Sequence, residues 1–115
     1  MAYNSVAKEK SMAFSIRIVH LYRYLTDEHK EYVLSKQILR CGTSIGANIA
    51  EAIYGSSRKD FVAKLQIALK ECAETLYWLE LLHNCDYLSQ QMYHSMLHDC
   101  EELRKILVSS VKSSQ

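Results

Sequence analysis

Glu80-Leu-Leu-His83 sets a carboxylate and an imidazole three residues apart. Helical di-metal sites use that spacing to aim two ligands at one ion, but they need a second such pair and further inward carboxylates. No second Glu-x-x-His stands on another helix. His94 and His98, one helical turn apart with Glu101 and Glu102 downstream, form another arrangement able to share a metal. Histidines at this spacing are commonly solvated surface residues, so neither group is assigned a metal, and no cofactor is expected. The chain has no G-x-S-x-G, no phosphate-cradling glycine loop and no H-E-x-x-H. No catalytic residue is therefore assigned, and the expectation is a protein that is not an enzyme.

The basic residues carry a different chemistry. Lys36 and Arg40 precede a short turn, and Arg58, Lys59 and Lys64 follow it. Five cations in a limited stretch can grip phosphates, each contact adding a salt-sensitive increment of affinity. Asp60 and Glu51 dilute them, and solvated flank charges are the plainer reading of the same residues. Beside them runs a polar rail, Arg40, Ser44, Asn48 and Glu51, at i, i+4, i+8 and i+11. If covered, the rail needs partners, because an unpaired buried polar group costs about 1–3 kcal/mol. Glu71 and Glu74, or the hydroxyls of Thr75 and Tyr77, can supply them as a register-fixing polar network. A ligand or nucleic-acid contact along the rail is the alternative.

The elements that position these groups are helices. Ile38, Gly42, Ile45, Ile49 and Ala52 alternate spacings of four and three, which keeps them on one stripe. An earlier helix has the seam Phe14, Ile18, Leu21 and Leu25, starts near Asn4 or Ser5, and fades into the polar run 26–30, whose connection reads as loose. Gly55 stands where a left-handed helix terminator is wanted. Ser57 and Asp60 have capping-box spacing, so only a short turn separates the second helix from the third. The third helix repeats Phe61, Leu65, Ala68, Cys72, Thr75, Leu79 and Leu82 over about 40 Å. Its second half adds Leu76, Tyr77, Trp78 and Leu81, more apolar circumference than one seam uses. Tyr77, Trp78 and Leu81 are accordingly expected at an oligomer interface. Ser89 can cap a fourth helix with the seam Tyr93, Met96, Cys100, Leu103 and Leu107. The expected fold is all-α, a single domain over residues 1–115 with helices at about 5–27, 35–54, 58–84 and 90–111. Short connections favour an antiparallel up-down-up-down four-helix bundle.

Composition agrees. The 115 residues suffice for one core, Pro is absent, and Gly occurs three times, which suits long uninterrupted helices. Fourteen Lys and Arg against thirteen Asp and Glu leave a net charge of +1, so any nucleic-acid binding needs a local patch. No apolar run approaches the roughly 18 residues of a membrane span, and the N-terminal residues do not read as a signal peptide. Cys41, Cys72, Cys85 and Cys100 show no C-x-x-C spacing and read as reduced thiols, so a cytoplasmic protein without a membrane partner is expected.

The stretch Leu34-Ser-Lys-Gln37-Ile-Leu-Arg40-Cys-Gly-Thr-Ser44-Ile-Gly-Ala-Asn48-Ile-Ala-Glu51, with Ser57-x-x-Asp60-Phe61, Leu65-x-Ile67-Ala68 and Glu74, resembles the signature of a bacterial four-helix-bundle family. That family is named for the intervening sequences of 23S ribosomal RNA, and the resemblance spans roughly residues 12–108. Many members carry small residues where Lys70 and Glu71 stand here, and Gly at the place of Ala52. The resemblance implies a bundle assembling as a ring-like homo-oligomer, typically a pentamer, with an RNA or DNA connection. The accessory variability determinants of diversity-generating retroelements resemble this fold, bind nucleic acid, and are more basic than this chain. The functional expectation is a non-enzymatic ring that binds structured RNA through Lys36, Arg40, Arg58, Lys59 and Lys64. The alternative is an oligomeric scaffold whose partner is another protein.

Overall fold

The computed structural model describes residues 2–114. Four helices account for nearly all of them: α1 (Ala2–His29), α2 (Leu34–Ile53), α3 (Arg58–Asn84) and α4 (Gln90–Ser114). The described residues include no strand. The body measures 43 × 21 × 20 Å, about the length of its longest helices. The seams expected from the 3.6-residue period are the core: Phe14, Ile18 and Leu25 of α1 meet Ile38, Ile45 and Ile49 of α2, Leu65, Leu79 and Leu82 of α3, and Leu103 and Leu107 of α4. α2 and α3 share the most extensive interface, α1 packs on α2, α3 packs on α4, and α1 touches α4 only sparsely. Among the described residues the α1 and α3 backbones do not approach closely, although their side chains share the one core.

Two glycines set how closely α1 and α2 approach. A Cβ on Gly42 would lie 2.7 Å from Ile18 Cδ1, and one on Gly46 would lie 3.1 Å from Ser15 Oγ. Among the described residues the buried polar side chains are all bonded: Ser11 to the Lys8 carbonyl, Ser35 to the Glu31 carbonyl, and Thr75 to the Glu71 carbonyl and the Cys41 sulfur. Their desolvation is thus offset, as buried hydroxyls require.

The connections depart from expectation in three places. α1 runs to His29, two residues beyond its expected end, and the following link is tight rather than loose. Lys30 takes a left-handed φ of 54°, and the Glu31 amide donates back to the Leu25 carbonyl at 3.0 Å. The Glu31 carboxylate then accepts from the amides of Val33, Leu34 and Ser35, capping α2 in place of a serine or threonine. The polar run thus encodes a capped corner. The start of α1 also differs: it begins at Ala2, ahead of the Asn4 or Ser5 cap expected from sequence, whose side chains lie outside the described residues. Finally, Gly55 is not left-handed. Its amide donates to Ala52, and the space its missing Cβ leaves lies 3.1 Å from that carbonyl and 3.5 Å from the Phe61 amide, so it serves close approach.

Ser57 does cap α3, accepting from the Asp60 amide at 3.1 Å, while the Asp60 carboxylate accepts from Ser56 instead of closing the second half of the box. Ser89 caps α4 through the Met92 amide. Between α3 and α4, Asp86 takes the left-handed conformation at φ 67°, a place that asparagine and aspartate tolerate better than most residues.

Candidate functional site

The expected basic group is not one patch. Arg40 on α2 faces α3, where it pairs with Glu71 at 3.4 Å and with Glu74. Lys64 pairs with Glu51 at 2.9 Å. Both cations are neutralised by glutamates that the packing of α2 on α3 brings alongside. Lys36, Arg58 and Lys59 are exposed and have no acidic partner among the described residues. Lys36 lies near the start of α2, whereas Arg58 and Lys59 lie beyond its end. At 1.5 Å per residue the length of α2 separates them by about 26 Å. The length of α2 itself therefore keeps Lys36 apart from Arg58 and Lys59.

Arg58 and Lys59 occupy the first turn of α3, where free backbone amides already favour anions. Beside them a cleft of about 350 Å³ is lined by Ser57, Arg58, Phe61 and the α4 residues Ser113 and Ser114. Lys112 is exposed on the same stretch of α4. The acidic counterweight is Asp60, already engaged by Ser56.

The polar rail divides likewise. Only its ends reach α3, through Arg40 with Glu71 and Glu74 and through Glu51 with Lys64. Ser44 donates to the Arg40 carbonyl at 2.7 Å and Asn48 to the Ser44 carbonyl at 2.8 Å, both within α2. Short polar side chains on a helix satisfy themselves on the preceding turn in this way. Glu74 is the node: besides Arg40, it accepts the Trp78 indole N–H at 3.0 Å. The Tyr77 hydroxyl takes no part in this network; its ring stands edge-on to Trp78.

Of the expected interface residues, Tyr77 is 57 % exposed, while Trp78 and Leu81 are half-buried and Trp78 packs on the subunit's own core. Ile67, at 44 % exposure, continues the outer line of α3; the sequence reading named it only within the family signature and gave it no place at the interface. On α1, Met12 and Ile16 are exposed as well.

The histidine pairs are used otherwise. His83 stacks on Tyr93 with centroids 4.3 Å apart, and His98 meets Asp99. Among the described residues no group of three or more His, Cys, Asp or Glu can hold a metal ion. The four cysteines are free; Cys41, Cys72 and Cys100 are buried and Cys85 is exposed. Burial pushes the Cys41 thiol up to about 11, and the hydrogen bond with Cys72 together with burial pushes Cys100 up further. No helix among the described residues is long and apolar enough to cross a membrane.

Fold and surface define an all-α, four-helix protein with Arg58 and Lys59 exposed beside the α2–α3 turn. The chain belongs to the 23S rRNA-intervening sequence protein family, whose model matches residues 4–109. It is similar to a protein of unknown function from the S23 ribosomal protein family of Bacteroides thetaiotaomicron, known from a crystal structure. The two chains are 54% identical, cover 96% of this chain and 98% of that one, and superpose with a TM-score of 0.94. A search of curated proteins finds no match.

Proposed function

We propose that the protein is a non-enzymatic, ring-forming bundle that binds structured RNA through cations repeated around the ring. The observation that carries this reading is the exposed pair Arg58 and Lys59 at the first turn of α3, neither in an ion pair among the described residues, beside a cleft that Ser57, Ser113 and Ser114 help line. A single such patch on a chain of net charge +1 is weak, and several copies in one assembly raise avidity without new contacts. Self-association, as a pentamer in line with the family resemblance, is supported by the exposed Ile67 and Tyr77 on α3 and Met12 and Ile16 on α1. An up-down-up-down course is supported by partners whose numbers run in opposite directions: Arg40 with Glu74 but Glu51 with Lys64, and Lys10 with Glu102 but Arg17 with Asp99. A cytoplasmic setting goes with this reading, since four thiols stay reduced there.

The neutralised Arg40 and Lys64 favour a second reading, a scaffold whose partner is a protein and whose surface charges serve solubility. Binding to a labelled RNA hairpin separates the two. The first reading expects affinity that falls with salt and falls further in an Arg58→Glu, Lys59→Glu variant, with a particle mass by light scattering several times 13.3 kDa. Absence of binding at low salt overturns it. Tyr77→Glu should reduce the particle mass, and an unchanged assembly removes the α3 face from the interface.

A further inference from the structure

The seam between α1 and α4 is the most thinly packed in the bundle, and polar bridges hold it. Lys10 meets Glu102 at 3.1 Å, and Arg17 reaches Asp99 at 2.6 Å and the Ser95 hydroxyl at 2.8 Å. Between these bridges and the aromatic end of the bundle lies a cleft of about 290 Å³, lined by Arg17, His20, Leu21 and Tyr24 of α1 and by Met92 and Met96 of α4. Arg17, His20 and Tyr24 stand at i, i+3 and i+7 on one stripe, and Met92 and Met96 stand one turn apart on the facing helix.

Both planar groups of this cleft are held before any ligand arrives. The guanidinium is fixed by Asp99 and by the hydroxyl and carbonyl of Ser95. The Tyr24 hydroxyl shares a 3.0 Å hydrogen bond with His29, whose ring stands edge-on to Tyr24 and to Tyr87. Fixed planar faces lose little freedom on binding. The opposite wall is thioether, polarizable and adaptable in shape. The exposed His20 adds ring nitrogens at the mouth.

We infer that this cleft receives one unstacked nucleobase from a single-stranded loop of RNA, an inference that rests on the nucleic-acid reading above. Bases splayed out of loops are recognised by stacking on aromatic rings or guanidinium planes and by hydrogen bonds to their polar edges. Arg17 and Tyr24 supply the planes, His20 supplies the edge contact, and the methionines close over the other side. The site lies on α1 and α4, apart from the cations around the α2–α3 turn.

The test labels the methionine methyl groups with carbon-13 and follows them by NMR in the full chain, with Met12 on the outer side of α1 as an internal control. Decaadenylate and adenosine monophosphate should shift Met92 and Met96 and leave Met12 in place, with decaadenylate binding more tightly. Ribose 5-phosphate should shift neither. Tyr24→Ala should weaken decaadenylate binding about ten-fold, while Tyr24→Phe, which keeps the ring, should retain most of it. Unmoved Met92 and Met96 signals overturn the inference, as does an equal response to ribose 5-phosphate, which would reveal an anion site. Tighter binding of the monophosphate than of decaadenylate overturns it in favour of a free nucleotide. A response to N-acetyltyrosinamide without one to the monophosphate overturns it in favour of a protein side chain. If the RNA hairpin binds while these methyl groups stay unmoved, the cleft fails and the basic-turn reading stands. If the monophosphate shifts them while the hairpin does not bind, the cleft stands and that reading fails.

Discussion

Ile18 of α1 occupies the space that a side chain on Gly42 of α2 would fill: a Cβ there would sit 2.7 Å from Ile18 Cδ1 and Cγ1 and 3.0 Å from Cγ2. Ile18 is fully buried, so it has no solvent to retreat into. The contact turns a residue unfavourable in helices into the condition for close packing of α1 on α2.

Gly42→Ala is therefore expected to destabilise the protein. Alanine gains about 1 kcal/mol of helix propensity over glycine. Overpacking a rigid core costs about 1–3 kcal/mol, and three short contacts place this site toward the upper part of that range. Urea unfolding should show a lower midpoint for Gly42→Ala and a still lower one for Gly42→Val. A rise in midpoint would mean that α1 shifts freely.

Removing the Glu31 cap should be costly for an exposed corner. Its carboxylate serves the amides of Val33, Leu34 and Ser35 at the start of α2, and losing a capping side chain costs about 0.5–2 kcal/mol. Glu31→Ala should lower the unfolding midpoint by that order, and Glu31→Gln, which keeps one acceptor oxygen, by less. Equal midpoints for the two variants would show that the second oxygen contributes the stability.

The thiols should divide by burial. A disulfide reagent at neutral pH should modify Cys85 rapidly in the folded protein and all four cysteines only after unfolding. Alkali should also weaken the fold through Cys41. In the unfolded chain this thiol ionises near its ordinary 9.0, while the folded one holds its proton up to about 11. Between those values the unfolded state has already lost a proton that the folded state keeps, so stability falls as pH rises from about 9 toward 11 and is unaffected below. Unfolding titrations over pH 7–11 should show this decline, and Cys41→Ala should lessen it, the buried Cys100 thiol, also raised, keeping part of it.

Arg40 should become available when its partners are discharged. In a Glu71→Gln, Glu74→Gln variant the guanidinium keeps hydrogen-bond acceptors but loses two countercharges. RNA affinity should rise, and its salt dependence should steepen by about one phosphate contact. Trp78 fluorescence should change too, because Glu74 accepts the indole N–H. An unchanged salt slope would show that Arg40 does not face the RNA.

Much of the architecture was legible in the residue order. Alternating spacings of three and four named Ile38, Ile45, Ile49, Leu65, Leu79, Leu103 and Leu107 as core, because a 3.6-residue helix turns such positions to one side whatever lies beyond. Ser57 and Ser89 marked two helix starts, because capping is a contact within one turn of chain. The corner at Glu31 was missed because a carboxylate four residues ahead of Ser35 reads as solvated until the chain bends back.

The candidate site was decided by packing. In the sequence Arg40, Arg58, Lys59 and Lys64 are equivalent cations; only the way α3 lies on α2 neutralises Arg40 and Lys64 and leaves Arg58 and Lys59 open. Arg17 and Tyr24 lie 68 to 79 residues from Met92 and Met96, and no local rule joins them until α1 and α4 face each other across their open seam. Helix formation and capping depend on neighbours within a few residues, so sequence alone determines them. Charge pairing and clefts depend on which distant helix arrives alongside, and tertiary structure decides that.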